Sequence, residues 1–155
     1  MRHKKAPKRI IAPDLKYGST DVAKFINYLM ERGKKSTATR ILHDAFGRIA
    51  DVSKQNPVEI FDEAMKNVGP MLEVRSRRVG GANYQIPFPV RTERRFFLAA
   101  QWILGAARGR KGAPMANKLA EELMNAAKGE GAAIKKKQDV QKMAEANKAF
   151  AHFAR

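Results

Sequence analysis

Arginine stands at positions 75, 77 and 78 and again at 91, 94 and 95. That choice of side chain sets the chemistry this segment can do. A guanidinium stays charged at any physiological pH and presents a planar fork of donors, which suits it to phosphate and not to proton transfer. Between Glu73 and Glu93 there is no acid, whereas a merely solvated face would intersperse both signs. The same cationic chemistry recurs at Lys34 and Lys35, at Arg108, Arg110 and Lys111, and at Lys135 and Lys136. It recurs once more near the start of the chain, at Arg2, Lys4, Lys5, Lys8 and Arg9. Tyr84 faces the first group of arginines and offers either a ring on which a base can stack or a ring that packs on its own ribbon.

Catalytic constellations do not emerge beside these cations. The sequence contains no phosphate-binding GxxxxGK[ST], no GxGxxG, no HExxH and no GxSxG. His43 and Asp44 are adjacent, as are Glu121 and Glu122, and neighbours on a helix point about 100° apart, so neither pair is polarised for acid–base work. His3, His43 and His152 lack metal-ligand spacing and there is no cysteine, so neither a catalytic role, nor a metal, nor a cofactor is expected. A reducing, cytoplasmic setting fits. With 31 Lys plus Arg against 15 Asp plus Glu, the formal charge of +16 repels itself unless a polyanion neutralises it. No run approaches the ~20 apolar residues of a membrane span, and no apolar stretch follows the basic N-terminus as a secretory signal would require. Nucleic acid is the expected partner, and a membrane is not.

The elements that must carry these charges can be read from period and punctuation. The expected architecture is mainly α: a single domain over residues 1–155, a bundle of about six helices with one protruding two-stranded β-hairpin. Residues 1–18 form a basic arm that cannot bury itself. In 19–71, three helices follow. The first carries Val22, Phe25, Ile26, Leu29 and Met30 inward, with Ser19 or Thr20 as cap and Gly33 closing it. The second carries Ala38, Ile41, Leu42, Ala45, Ile49 and Val52. The third starts at Asn56-Pro57, with Glu59 placed for a capping box, and buries Val58, Phe61, Met65 and Val68.

Over 72–90 the period changes to two. Gly80-Gly81 supplies a tight turn, and Tyr84, Ile86, Phe88 and Val90 alternate with Gln85, Pro87 and Pro89. Prolines two apart aim their missing N–H groups to one side, so the ladder survives and the outer edge rejects a third strand. Arg75 and Arg77 share one face of this ribbon and Arg78 takes the other. Such a ribbon holds little core.

Helices four to six occupy 91–155, with Phe97, Ala100, Ile103, Leu104 and Ala107 inward in the fourth and Trp102 flanking that stripe. Leu119, Ala120, Leu123 and Ala127 point inward in the fifth, and Val140, Met143, Ala144, Phe150 and Ala151 form the apolar side of the sixth. Arg91, Arg94 and Arg95 fall in the first turns of helix four, where the helix dipole disfavours cations, and an external anion would offset that cost.

Two readings follow from the cations alone. One is an architectural protein that bends duplex DNA with a basic ribbon; the other is an RNA-binding structural protein whose dispersed basic projections bridge irregular RNA surfaces. Three collinear blocks weigh toward RNA. STDVAKFINYLMERGKKSTATRILHDA (19–45), LEVRSRRVGGANYQIP (72–87) and MAEANKAFAHF (143–153) together resemble the family of ribosomal protein seven of the small subunit, bacterial type.

The resemblance implies a helical body with one projecting hairpin and no enzymatic activity. It implies binding to the 3′ major domain of small-subunit ribosomal RNA, a part in nucleating head assembly, and a place beside exit-site tRNA and the messenger path. Neighbours would include small-subunit proteins nine and eleven. Carried onto this chain, Lys4, Lys5, Lys8, Arg9, Lys34, Lys35, Arg75, Arg77, Arg78, Arg94 and Arg95 would hold ribosomal RNA. Gly80, Gly81 and Asn83, with Tyr84 next to them, would approach tRNA or messenger. The chain departs from the family at Leu15, where PDP is common, at Gly69, commonly basic, and at Arg155, beyond which others extend.

Overall fold

The structure, a computed structural model, describes residues 9–154. The chain divides into two compact units, Met1–Arg40 and Ile41–Arg155. In the first, Asp14 organises the entry to α1 (Thr20–Leu29). Its carboxylate accepts from the amides of Lys16 and Tyr17, both at 3.1 Å, and its carbonyl accepts from Gly18 N at 2.8 Å. A turn closed by Asp14 itself accommodates Leu15 where the related pattern has proline. Ser19 Oγ then accepts from Val22 N at 3.4 Å and caps the helix. Val22, Ala23, Phe25, Ile26 and Leu29 are buried at the expected spacing. The helix ends on Met30 rather than at Gly33. Gly33 instead follows Arg32 through two successive left-handed residues, φ 51° and 75°, that form the corner before α2 (Lys35–Ser53).

From Ile41 onward, α2 buries Leu42, Ala45, Phe46 and Ile49. Val52, expected inward, is 63% exposed, since it lies in the last turn of the helix. Phe46 fills the inward position instead and meets Phe61 at 5.7 Å between ring centroids. α3 (Pro57–Val68) begins as its sequence predicts: Asn56 Oδ1 accepts from Val58 N at 3.0 Å. Glu59 reaches the Asn56 side-chain amide at 3.4 Å rather than its backbone. α3 packs on α4 (Thr92–Gly109) and α5 (Met115–Ala127), and both meet α6 (Ala132–Ala146). Ala99, Ala100, Ala107, Ala120 and Ala126 are buried, and small side chains let these helices approach closely. Ala126 takes the inward place expected of Ala127.

Between α3 and α4, β1 (Leu72–Val79) and β2 (Ala82–Pro89) pair antiparallel around Gly80 and Gly81, φ 56° and 93°. Positive φ at both central residues makes this the turn whose twist matches the strands, and glycine adopts it without a Cβ penalty. Val79 pairs with Ala82, so the hydrogen-bonded pairs continue at 77/84, 75/86 and 73/88. Pro87 and Pro89 fall between them, with their nitrogens turned outward and no ladder bond lost.

The ribbon is less bare than its sequence suggests. β1 and β2 pack on α6, and β2 on a 3-10 helix at Lys148–Ala154. Ile86 is fully buried, worth ~1.5–3 kcal/mol for a side chain of its size. That 3-10 helix also corrects the expected sixth helix. The chain leaves α6 at Asn147, whose side-chain amide donates to the Met143 carbonyl at 2.7 Å. Past the break Ala151 lies outside; within α6, Met143 is 47% exposed and Ala133, Ile134 and Ala144 form the inward stripe.

Candidate nucleic-acid interface

The register sorts the hairpin residues into two faces. Glu73, Arg75 and Arg77 lie opposite Phe88, Ile86 and Tyr84; Val74, Ser76 and Arg78 lie opposite Pro87, Gln85 and Asn83. Gln85 Nε2 donates to Ser76 Oγ at 2.7 Å on the second face. On the first, the Tyr84 ring sits 5.0 Å from that of Phe150 and is half-buried. The Tyr84 ring thus packs within its own chain.

The arginines separate by what they touch. Arg75 pairs with Glu73 and lies 5.4 Å over the Phe88 ring. Arg94 Nε donates to Glu73 Oε2 at 3.2 Å and its guanidinium covers Phe97 at 4.9 Å. Glu73 itself is only 7% exposed. A buried carboxylate needs such partners, so the cation in the first turn of α4 has a local counter-charge that its neighbours in sequence did not reveal. Arg95 has another local reason. Its Nε donates to Gly69 O at 3.2 Å and its terminal nitrogen to Lys66 O at 3.3 Å, which sets its charge against the negative end of α3. Arg110 donates to Glu121 at 3.1 Å and to Glu122 at 2.5 Å.

Glu122 is fully buried, and its other oxygen accepts from Ala133 N at 3.0 Å, so a carboxylate of α5 caps α6. Gly131, at φ 98°, makes room: a Cβ there would stand 2.9 Å from that oxygen. The pair Glu121-Glu122, unpromising as catalytic acids, thus acts through Arg110.

Other cations stand outward. Arg9, Lys34, Lys35, Arg77, Arg78, Arg108, Lys111, Lys135 and Lys136 are exposed, as are Gly80, Gly81 and Asn83 at the turn. Lys35 is the first residue of α2, whose first turn has no acid, so Lys34 and Lys35 meet the positive end of a helix dipole. Arg2, Lys4, Lys5 and Lys8 lie outside the described residues. Sequence spacing missed one cluster. Lys66, Arg95, Lys128 and Lys137 line one depression although they are far apart in the chain. Lys137 donates to Asn67 O at 2.6 Å, and burial, together with the nearby Arg95 charge, lowers its pKa below the ordinary 10.5. No signal in the sequence links these four, because helix packing alone brings them together. Among the described residues no group of three or more His, Cys, Asp or Glu could hold a metal, and no helix is long and apolar enough to cross a membrane.

A helical body with one basic hairpin between its third and fourth helices is matched, over residues 1–148, by the profile of the ribosomal protein S7p/S5e family. The chain belongs to the ribosomal protein S7p/S5e family. The small ribosomal subunit protein uS7 of Aromatoleum aromaticum is 53% identical over 152 residues, covering 98% of this chain and 97% of that protein. Its counterpart in Francisella tularensis subsp. holarctica is 55% identical over 153 residues, with 98% of each covered. That of Polynucleobacter necessarius subsp. necessarius is 55% identical over 152 residues, 98% of this chain and 97% of the other. The S7p/S5e match confirms the family resemblance carried by the three blocks and spans the N-terminal arm as well. As an S7p/S5e protein the chain is a structural component and not an enzyme.

Proposed function

We propose that this chain is a structural constituent of the small ribosomal subunit that binds the 3′ major domain of its RNA and helps to nucleate the head. The observation that carries the reading is the distribution of exposed cations. Lys34 and Lys35, Arg77 and Arg78, Arg108 and Lys111, and Lys135 and Lys136 stand on different elements of a chain with formal charge +16. Separate basic projections suit separate phosphate tracks of a folded RNA. Arg75, Arg94 and Arg110 support this surface chiefly by holding its scaffold. Gly80, Gly81 and Asn83 at the hairpin turn approach exit-site tRNA or messenger, and small-subunit proteins nine and eleven are neighbours. The protein works bound to the ribosome.

A filter-binding competition between a 3′ major-domain RNA fragment and duplex DNA, repeated over a salt series, tests the reading. Affinity for the RNA falls log-linearly with salt, by a slope of ~0.7–0.9 per phosphate neutralised, and the duplex competes poorly. A flat salt profile would falsify electrostatic binding, and preference for the duplex would favour a DNA-bending protein.

A further inference from the structure

We infer that the depression between the C-terminal ends of α3 and α5 and the first turns of α6 binds a phosphodiester group of RNA through Lys66, Arg95, Lys128 and Lys137. The inference rests on the RNA-binding reading and adds a contact outside the arm, hairpin and corner. The depression is open, with a volume of about 400 Å3, and its lining also includes Asn67, Ala127, Gly129 and Ile134 but no carboxylate. Four cations around so small a space repel one another, and an anion is the group that relieves them.

Helix C-termini ordinarily repel anions, because their last carbonyls carry partial negative charge. Here those carbonyls are occupied. Asn67 Nδ2 donates to Ala126 O at 3.2 Å and Ala127 O at 2.8 Å. Arg95 engages the carbonyls of Gly69 and Lys66, and Lys137 that of Asn67. These bonds also fix the two inner cations in place. Of five guanidinium N–H groups Arg95 uses two in this way, and of three ammonium protons Lys137 uses one, which leaves donors for a phosphate oxygen. Lys66 and Lys128 are exposed at the rim. Gly69 is what admits Arg95 to this position, since a Cβ at residue 69 would lie 2.7 Å from Arg95 Nε. Burial first, and the nearby Arg95 charge second, lower the pKa of Lys137.

The test pairs Lys66→Gln/Lys128→Gln with Lys66→Arg/Lys128→Arg, both in the full chain, against the 3′ major-domain RNA fragment over a salt series. The glutamine pair is expected to weaken binding several-fold and to lower the slope of log affinity against log salt by about 1, with the arginine pair near wild type. Acetylation footprinting read by mass spectrometry should show Lys66 and Lys128 losing reactivity when RNA binds. Unchanged affinity and slope in the glutamine pair, with both lysines equally reactive in the complex, overturns the site while leaving RNA binding elsewhere intact. Absence of salt-dependent binding by the wild type defeats the broader reading and this site with it. Inorganic phosphate supplies a further arm: if it protects both lysines at low millimolar concentration and RNA does not, the ligand is a free phosphate and the phosphodiester assignment is wrong.

Discussion

Replacing Arg75 and Arg94 together by alanine would strip Glu73, 7% exposed, of both guanidinium partners. Desolvation of a polar group left unsatisfied in this way costs ~1–3 kcal/mol, so Arg75→Ala/Arg94→Ala should lower the melting temperature measurably. Arg78, on the opposite face of the ribbon and exposed, has a different role. Arg78→Gln should weaken RNA binding and leave the melting temperature within about 1 °C of wild type, as surface changes of under ~0.5 kcal/mol do. Thermal melts run beside filter binding separate the two; a double alanine variant that melts like wild type would contradict the structural role given to Glu73. An arginine count cannot distinguish these residues. Arg75, Arg77 and Arg78 look alike in sequence, and only strand register together with a helix that starts past Pro89 brings Arg94 to Glu73.

Elements whose boundaries are set by local chemistry were legible. Asn56-Pro57 starts α3 and Gly80-Gly81 turns the hairpin, because capping and positive φ depend on the residues at hand. Pro87 and Pro89 were legible too, since a period of two fixes which way their nitrogens point. Elements set by distant partners were not. The sixth helix reads as continuous through Phe150, yet the chain breaks at Asn147 and seats Phe150 on Tyr84. α6 begins without a side-chain cap of its own because Glu122 supplies one from α5. Glu122→Gln keeps an oxygen for Ala133 N but removes the charge facing Arg110. It should cost ~1–3 kcal/mol in urea denaturation, and a midpoint equal to wild type would show that Arg110 does not depend on this partner.

At the scale of the molecule, some cations have partners on the scaffold and others are held out from it. Arg75, Arg94, Arg95 and Arg110 meet carboxylates or helix-end carbonyls, whereas Lys34, Lys35, Arg78, Lys135 and Lys136 are presented outward from a corner, a hairpin and a helix. This division explains why a chain of charge +16 can fold around an apolar core and still offer a polyanion several points of attachment. The absence of cysteine allows a direct test, because a single cysteine introduced at a chosen site carries a tethered cleavage reagent without competition. Reagent placed in turn at Lys34→Cys, Arg78→Cys and Lys135→Cys, in reconstituted small subunits, should cut distinct strands within the 3′ major domain of the ribosomal RNA. Cuts no stronger than those of untethered reagent from all three positions would contradict the claim that these projections are the RNA-binding surface.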